Sequence, residues 1–329
     1  MITPLVKAFV KPLMVAGLVM GVAACDVPGL GGGNKATVSP DRQKQQEALL
    51  KETEGADPTN PEDARAIAKR AEALAELGQT DEGLTLVDQA IATKDDEAVL
   101  WYARGRILQI TKQNEESLEA FQKATDLQPQ RSNNWIRLGQ ILMRLDQAEK
   151  AEEAFAKAVE LDPKDDQAWR RYGEALVKNK KYDEALKSYE KSLAIVPDDA
   201  HALQRHGEVL LRMKKYEQAD LSIVQALSLD PDNPKLMLRQ GEALLGLKQP
   251  DEALKAFDEG LAIDDQDGSL WARRGDALRE KQNYGEARSA YEKALELQPE
   301  RESLKKRLAE LDAEEKGGDK EGNGKKEDE

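Results

Sequence analysis

The apolar residues of this chain follow a pattern that repeats every 34 residues. One column of the pattern is glycine: Gly105, Gly139, Gly173, Gly207, Gly241 and Gly275. Three residues after each glycine comes leucine: Leu108, Leu142, Leu176, Leu210, Leu244 and Leu278. Four residues before each glycine stands a large side chain: Trp101, Trp135, Trp169, Leu203, Met237 and Trp271. A strict period of this length predicts a stack of helical hairpins, in which each unit buries its apolar face against its neighbours.

Further columns describe the second helix of each unit. Twelve residues after the glycine comes a small residue: Ser117, Ala151, Ala185, Ala219, Ala253 and Ala287. Four residues later comes a bulky one: Phe121, Phe155, Tyr189, Ile223, Phe257 and Tyr291. Most repeats then close on proline: Pro129, Pro163, Pro197, Pro231 and Pro299. Because proline cannot donate the next backbone hydrogen bond, it ends the second helix. Large and small apolar residues at helical spacing predict two packed helices per repeat.

The tryptophan, glycine, alanine, aromatic and proline columns resemble those of the tetratricopeptide repeat family. The resemblance implies an all-α fold, a right-handed superhelix of helix-turn-helix hairpins, with six repeats between Ala98 and Arg301. An earlier window, 64–97, keeps the apolar register but has alanine in the glycine column, so we interpret it as a degenerate first repeat. The predicted repeat domain is therefore 64–301, with seven repeats in total.

Shorter elements are predicted at both ends of the repeat domain. Ser39 and Pro40 are typical of a helix start, which predicts a short N-terminal helix and linker over 39–63. After the repeats, an apolar stripe with charges on its other faces predicts a C-terminal capping helix over 302–316. The stripe consists of Leu304, Leu308 and Leu311. The segment 317–329 has almost no apolar residue and is predicted to be a disordered charged tail.

The first residues of the chain have the features of an export signal. Lys7 and Lys11 precede an apolar run, Leu13–Ala24, that is too short to span a bilayer and is bounded by small residues. We therefore predict a lipoprotein signal peptide over 1–24.

The apolar run closes on Val22, Ala23, Ala24 and Cys25, which resemble the lipobox of bacterial lipoproteins. The resemblance implies a diacylglyceryl group on the Cys25 sulfur, cleavage just before this residue and acylation of the new N-terminus, for example with palmitate. Cys25 is the only cysteine of the chain, so it cannot serve an internal disulfide. Val22 and Ala24 also suit ordinary signal peptidase, which would leave a secreted protein with a free N-terminal thiol. Both interpretations stay open at this point.

Lipidation of Cys25 would place the protein in the bacterial cell envelope, anchored to a membrane and facing the periplasm. The glycine-rich segment 25–38 is predicted to be a flexible tether with a reach of roughly 20 Å. Asp26 resembles the inner-membrane retention signal of enterobacterial lipoproteins. That rule does not extend to all bacteria, so the choice between inner and outer membrane stays open.

The charge balance and the histidines exclude several classes of function. With 49 basic and 63 acidic residues the chain has a formal net charge of −14, which disfavours binding to nucleic acid. His201 and His206 are five residues apart, a spacing that does not place two metal ligands on one helical face. Almost every other column already has a structural role. We therefore predict no enzyme activity, no catalytic residue, no metal, no small-molecule substrate and no cofactor other than the lipid on Cys25.

Charged residues form columns beside the glycine column. Two residues before the glycine stands arginine: Arg137, Arg171, Arg205, Arg239 and Arg273. One residue after it stand Gln140, Glu174, Glu208, Glu242 and Asp276. Five residues after it, three repeats add positive charge: Arg144, Lys178 and Arg212. The tetratricopeptide resemblance implies that these positions face the concave groove of the superhelix and form a charged ladder along its wall.

Two interpretations of the ladder stay open. In the structural one, arginine and glutamate three residues apart pair with each other, and stacking brings neighbouring repeats into one network. In the functional one, the arginines bind carboxylates or backbone carbonyls of an extended partner segment. The candidate groove residues are Arg137, Arg171, Arg205, Arg239, Arg273, Glu174, Glu208 and Glu242. Family members that clamp a C-terminal carboxylate carry asparagine after the glycine, so the glutamates of this chain argue against such a clamp.

These features together predict a lipid-anchored scaffold that binds other proteins or extended peptide segments in the bacterial envelope. Among lipoproteins of this design, the chain resembles those that assist pilus or secretion assembly, such as type IV pilus pilotins and the tight-adherence lipoproteins. The alternative is a general adaptor for outer-membrane or cell-wall machinery. An enzyme is the least favoured class, since the repeat register leaves few residues for chemistry.

Overall fold

The structure, a computed structural model, describes residues 39–323, and every regular element among them is a helix. Several sequence predictions therefore lie outside the described residues. These are the signal peptide 1–24, lipid attachment at Cys25, the tether 25–38 and the end of the tail, 324–329.

Seven helical hairpins form the repeat domain within the described chain, preceded by one helix and followed by another. The helices are α1 (Pro40–Glu52), α2 (Ala64–Glu76), α3 (Thr80–Thr93), α4 (Ala98–Ile110), α5 (Asn114–Leu127), α6 (Ser132–Arg144), α7 (Ala148–Leu161), α8 (Asp166–Lys178), α9 (Tyr182–Ile195), α10 (Ala200–Arg212), α11 (Tyr216–Leu229), α12 (Pro234–Gly246), α13 (Pro250–Ile263), α14 (Gly268–Glu280), α15 (Tyr284–Leu297) and α16 (Glu302–Asn323). From α2 to α15, each even-numbered helix is the first of a hairpin and packs against its own partner. From α4 onward it also packs against the second helix of the preceding hairpin, whereas α2 packs against α1. The predicted all-α repeat fold is confirmed.

The first helix of every hairpin ends in the same turn. A residue with positive φ, between 59° and 86°, follows two positions after the helix end: Gly78, Lys112, Asp146, Lys180, Lys214, Lys248 and Gln282. The next N–H then reaches back into the last turn, as where the N–H of Lys181 donates to the carbonyl of Leu176 over 2.9 Å. This closure satisfies a helix-end carbonyl, and glycine normally supplies the positive φ. Only the first hairpin of this chain uses glycine there.

Inside each hairpin the glycine column lies against the bulky column of the second helix. A Cβ added at Gly139 would come within 2.7 Å of the Phe155 ring, and one at Gly173 within 2.8 Å of the Tyr189 ring. Both distances are far below van der Waals contact, so only glycine lets the helices approach this closely. The aromatic side chains fill the resulting core and are nearly inaccessible to solvent: Phe121, Phe155, Tyr189, Phe257 and Tyr291.

The tryptophan column holds the connection between hairpins. The indole N–H of Trp135 donates to the carbonyl of Pro129 over 2.8 Å, and that of Trp169 donates to the carbonyl of Pro163 over 3.0 Å. Where Asp265 replaces the proline, the indole of Trp271 donates to its carbonyl in the same way. These half-buried tryptophans pack on the core while the indole N–H fixes the connection, so the fold accounts for them.

Polar and apolar contacts attach the two outer helices to the stack. On α1, Gln46 Nε2 donates to Glu76 Oε2 over 2.7 Å, while Arg70 of α2 donates to the carbonyl of Thr53 over 3.2 Å. On α16, Leu304 and Leu311 are fully buried against α14 and α15, as expected for a cap that covers the last hairpin.

The last helix is longer than the sequence indicated. A capping helix was expected to end at residue 316 and a disordered tail to begin at 317, whereas α16 continues to Asn323. A helix needs only local hydrogen bonds to propagate, but Gly317, Gly318 and Gly322 are poor helix formers, so residue propensity does not explain the extension. Among the described residues, no helix is both long enough and apolar enough to cross a bilayer.

Candidate functional site

The first helices of the last three hairpins, together with α16, border an open cavity of about 980 Å³. Its walls carry ladder residues from three helices: Glu208, Arg239, Glu242, Arg273 and Asp276. Leu211, Leu245 and Gly246 add an apolar part to the lining. We call the surface formed by the charged columns of all first helices the groove.

Within single helices, each ladder arginine that has an acid three residues later pairs with it. The nitrogen–oxygen distances are 3.0 Å for Arg171–Glu174, 2.9 Å for Arg205–Glu208, 2.8 Å for Arg239–Glu242 and 3.0 Å for Arg273–Asp276. The acids are about four-fifths buried, whereas the guanidinium groups remain roughly one-third exposed. Each pair therefore presents its positive member to the groove.

In the C-terminal half of the groove, arginines also reach back to the preceding hairpin. Arg273 Nε donates to Glu242 Oε1 over 2.9 Å, so Glu242 holds an arginine from each of two hairpins. Arg239 Nε lies 3.7 Å from Glu208 Oε1, a longer contact of the same kind. Opposite charges therefore alternate without a break along this part of the groove.

Arg307 of α16 extends the alternation by one more arginine. It lies 34 residues after Arg273, and its Nη1 is 3.0 Å from Asp276 Oδ2. Sequence analysis missed this residue, although continuing the repeat count into the capping helix would have found it. We call the continuous set the closed ladder: Arg205, Glu208, Arg239, Glu242, Arg273, Asp276 and Arg307.

The pKa shifts of the closed ladder show that its charges compensate one another. Burial alone would raise the pKa of Glu208, but a hydrogen bond from Gln204 and the charges of Arg205 and Arg239 hold it below its usual value. Burial opposes the charge of Arg273, yet Glu242 and Asp276 together raise the pKa of that guanidinium. Both shifts favour the charged forms, so the closed ladder stabilises itself as a set of ion pairs.

The series of ion pairs does not extend to Arg137, near the N-terminal end of the ladder. Arg137 has Gln140 three residues later instead of an acid, and its Nη1 donates to Gln140 Oε1 over 3.1 Å. Its Nε donates to the hydroxyl of Tyr102 over 3.1 Å. Both partners are neutral, so the charge of Arg137 is solvated but not balanced by a contacting carboxylate.

The column five residues after the glycine changes character along the groove. Lys178 forms an exposed ion pair with Asp146 over 2.9 Å. Arg144, by contrast, has no ion pair or hydrogen bond to another described residue. Burial, together with the like charges of Arg137 and Arg171, lowers the pKa of Arg144. In the last two hairpins the same column holds Gly246 and Glu280.

At the first two hairpins the groove is again balanced. Arg106 Nη1 lies 2.8 Å from Glu72 Oε2, and its Nη2 lies 3.2 Å from Glu76 Oε1. Burial raises the pKa of Glu72, and the nearby charge of Glu76 adds to this while Arg106 opposes it. Arginines without a contacting carboxylate thus lie between this network and the closed ladder, at Arg137 and Arg144, and also at Arg212 in the cavity wall.

The two histidines lie apart and have separate partners. Arg170 Nη1 is 2.9 Å from His201 Nδ1, while His206 Nδ1 is 2.9 Å from Ser222 Oγ. Since a guanidinium can only donate, His201 must accept through an unprotonated Nδ1. Among the described residues, no group of three or more His, Cys, Asp and Glu is arranged to hold a metal ion.

Four family models described as tetratricopeptide repeat match the chain. Their matches cover residues 98–131 and 200–233, 136–200, 223–273 and 268–301. Together these segments make up more than half of the chain. A comparison with curated proteins finds no match.

Three solved structures of similar fold are distant from this chain in sequence. YrrB, a TPR protein with an unusual peptide-binding site, is 24% identical over 57% of this chain and 96% of its own, with a TM-score of 0.50. PilF of Pseudomonas aeruginosa is 19% identical over 66% of this chain and 98% of its own, with a TM-score of 0.55. A tetratricopeptide repeat protein from Parabacteroides merdae is 14% identical over 82% of this chain and 99% of its own, with a TM-score of 0.54.

Three observations identify the same family. The hairpins have a 34-residue period, their glycines pack on aromatic rings, and the family models match most of the hairpins. The chain belongs to the tetratricopeptide repeat family, whose members mediate protein–protein interactions.

Proposed function

We propose that this protein is a lipid-anchored, non-enzymatic scaffold of the bacterial envelope that binds extended segments of other proteins in its groove. Its role is to assist the assembly of an envelope complex such as a pilus or a secretion system. The observation that carries the binding role is the groove itself, an open surface lined with half-exposed arginines along successive hairpins.

The arginines retain donors for a partner even where they are paired. Arg205 is 42% exposed and uses Nη1 for Glu208, while its Nη2 has no acceptor within the described residues. A guanidinium has five N–H donors, so several remain for the carbonyl oxygens of an extended peptide. YrrB, a protein of similar fold, has a peptide-binding site, and that precedent supports the same use of this groove.

The proposed anchor is the lipid on Cys25, supported by the lipobox-like residues before it. Several acyl chains hold a protein stably on a membrane where a single chain gives marginal binding. The segment 25–38 would then let the repeat stack search for partners within roughly 20 Å of the surface. The envelope-assembly role rests on the resemblance of the export signal and repeats to pilotin-type and tight-adherence lipoproteins, and PilF is similar to this chain in fold.

Site-specific photocrosslinking in intact producing cells tests the groove. A photoreactive residue in place of Leu245, which lines the cavity, should capture a distinct partner. The same residue in place of Leu221, which is 66% exposed on the second helix α11, is the matched control and should not capture that partner. Equal capture from both positions, or none from Leu245, would overturn groove binding.

The identity of the captured partner separates the assembly role from the alternative. A pilus or secretion subunit supports assembly, whereas a component of outer-membrane or cell-wall machinery favours a general adaptor. Labelled-palmitate incorporation tests the anchor in the same cells. The wild-type chain should incorporate label, and Cys25→Ser should not; equal labelling of both would contradict lipidation at this residue.

A further inference from the structure

In one segment of the groove, two neighbouring arginines of α6, Arg137 and Arg144, contact no carboxylate of the described residues. From Arg205 to Arg307, every arginine of the closed ladder contacts at least one carboxylate. At Arg137 the acid is replaced by Gln140, and no carboxylate of the described residues contacts the guanidinium, although the charge of Glu72 reaches it from a distance. We call Arg137, Arg144 and Arg171 the cationic subsite.

Arg144 is the least compensated member of the cationic subsite. It has no hydrogen bond or ion pair within the described residues, and its side chain is exposed on the groove. Arg137 and Arg171 lie close enough that their charges disfavour its own. The three like charges repel one another, and an incoming anion would relieve this repulsion.

Stability does not account for this arrangement. The equivalent position is glycine in α12 and glutamate in α14, so the hairpin fold itself does not require arginine there. Replacing the acid by Gln140 also forfeits a cross-hairpin contact of the kind that Glu242 makes with Arg273. Uncompensated charge that weakens the fold is the pattern expected of a binding site.

We propose that the cationic subsite binds the carboxylate of an aspartate or glutamate side chain carried by the extended partner segment. Arg144 and Arg137 supply charge-assisted hydrogen bonds to it, and Arg171 remains tied to Glu174 at the edge of the subsite. The inference rests on the proposed function and specifies the chemistry of the partner at this one place in the groove.

The charges around the subsite favour a single carboxylate over a larger anion. On the N-terminal side of the subsite, Glu72 and Glu76 lie on α2. On its C-terminal side, Glu174 lies on α8 and Glu208 on α10. The whole chain carries a formal net charge of −14. A polyanion would meet repulsion on both sides of the subsite, whereas one acidic side chain would touch only the arginines.

Peptide binding to the purified full-length protein tests the proposal. The probe is a fluorescein-labelled Gly/Ser dodecapeptide with two glutamates, compared with the same peptide carrying glutamine or lysine in their place. Fluorescence anisotropy at low salt should show saturable binding of the glutamate peptide that weakens as salt is added. The glutamine and lysine peptides should bind at least about tenfold more weakly, as expected for the loss of a charge-assisted contact.

Two variants locate the binding, and one controls for net charge. Arg144→Gln and Gln140→Glu should each weaken the glutamate peptide about tenfold, the first by removing the cation and the second by neutralising Arg137. Lys255→Gln removes the same charge from α13, where Lys255 is 80% exposed, and should leave binding unchanged. Gln140→Glu restores the residue type of the later hairpins, so its melting temperature should equal or exceed that of the wild type.

Three outcomes would overturn the subsite: no binding of the glutamate peptide, equal binding of all three peptides, or wild-type affinity in both Arg144→Gln and Gln140→Glu. If that happens while Leu245 still captures a partner in cells, groove binding stands and only its acidic specificity falls. If Leu245 captures nothing, the proposed function itself is wrong.

Discussion

At the scale of residues, the first hairpin shows how one column of the repeat compensates for another. Its glycine column holds Ala71, and the bulky residue that would face it is Val87 instead of an aromatic ring. The next small position is Gly83, where a Cβ would meet the carbonyl of Ala71. An added methyl on one helix is thus matched by lost volume on the other, which keeps the core filled without overlap.

This compensation predicts the behaviour of a later hairpin. Gly139→Ala alone should destabilise the protein by about 1–3 kcal/mol, because its methyl would collide with the Phe155 ring. Phe155→Val alone should cost about 2–4 kcal/mol through the cavity it leaves. In the double variant the two costs should partly cancel, as in the first hairpin, leaving a coupling of roughly 1 kcal/mol or more. Urea unfolding of the four proteins measures this cycle, and strict additivity would contradict the packing argument.

The positive-φ lysines give a second residue-scale prediction. Lys214 has a φ of 59°, a conformation that strains any side chain with a Cβ. Lys214→Gly should therefore raise the free energy of unfolding by roughly 0.5 kcal/mol, the relief of strain exceeding the added chain entropy. Lys214→Ala is the control, since it removes the charge but keeps the Cβ. Equal stabilisation by glycine and alanine would show that charge, and not backbone strain, limits this turn.

At the scale of elements, the hairpin of α10 and α11 carries both histidines, each with a lowered pKa. Burial is the main cause for His201, with the charges of Arg170 and Arg205 adding to it while Glu174 and Asp199 oppose. Burial also lowers the pKa of His206, against a small opposing effect of Glu190. Both side chains are therefore more easily protonated in the unfolded chain than in the folded one.

The sign of the resulting pH dependence follows directly. Above the usual histidine pKa of 6.5, both histidines are neutral in the folded and in the unfolded protein, so they do not change the free energy of unfolding with pH. Below it the unfolded state binds protons first, so the free energy of unfolding should fall, by at most about 1.4 kcal/mol per pH unit for each histidine. His206→Gln should make the decline between pH 7 and 5.5 shallower in urea titrations. An unchanged slope would exclude His206 as a contributor.

Which elements form was predictable from sequence, but several of their contacts were not. The glycine, tryptophan and proline columns indicated hairpin positions because burial acts on each repeat in the same way. The turn residues carried no comparable signal, since lysine at positions such as 180 and 214 hides a positive φ. Nor did spacing alone show that Arg273 reaches back to Glu242, because that choice depends on how two hairpins stack.

At the scale of the whole molecule, stability is the sum of hairpins and the interfaces between them, so contacts that cross an interface matter for cooperativity. The closed ladder makes such contacts from α10 to α16. At Asp276 three groups converge, since Tyr291 also donates its hydroxyl to this carboxylate over 2.9 Å. The cationic subsite has no equivalent, so the groove is divided into self-paired regions, the closed ladder and the Arg106 network, and a region between them with charge available for a partner.

That division predicts different results for two similar glutamates. Glu242, 17% exposed, contacts arginines of two hairpins, whereas Glu174, 20% exposed, pairs only within α8. Glu242→Gln should lower the free energy of unfolding by about 1 kcal/mol, and Glu174→Gln by about 0.3–0.5 kcal/mol, after allowance for solvent screening.

Hydrogen exchange should show the larger loss of protection in α12 and α14. In 1 M salt the difference should shrink, because both effects are Coulombic. Equal losses, or a smaller one for Glu242→Gln, would mean that cross-hairpin pairing adds nothing to stability, and the closed ladder would then be as available for recognition as the cationic subsite.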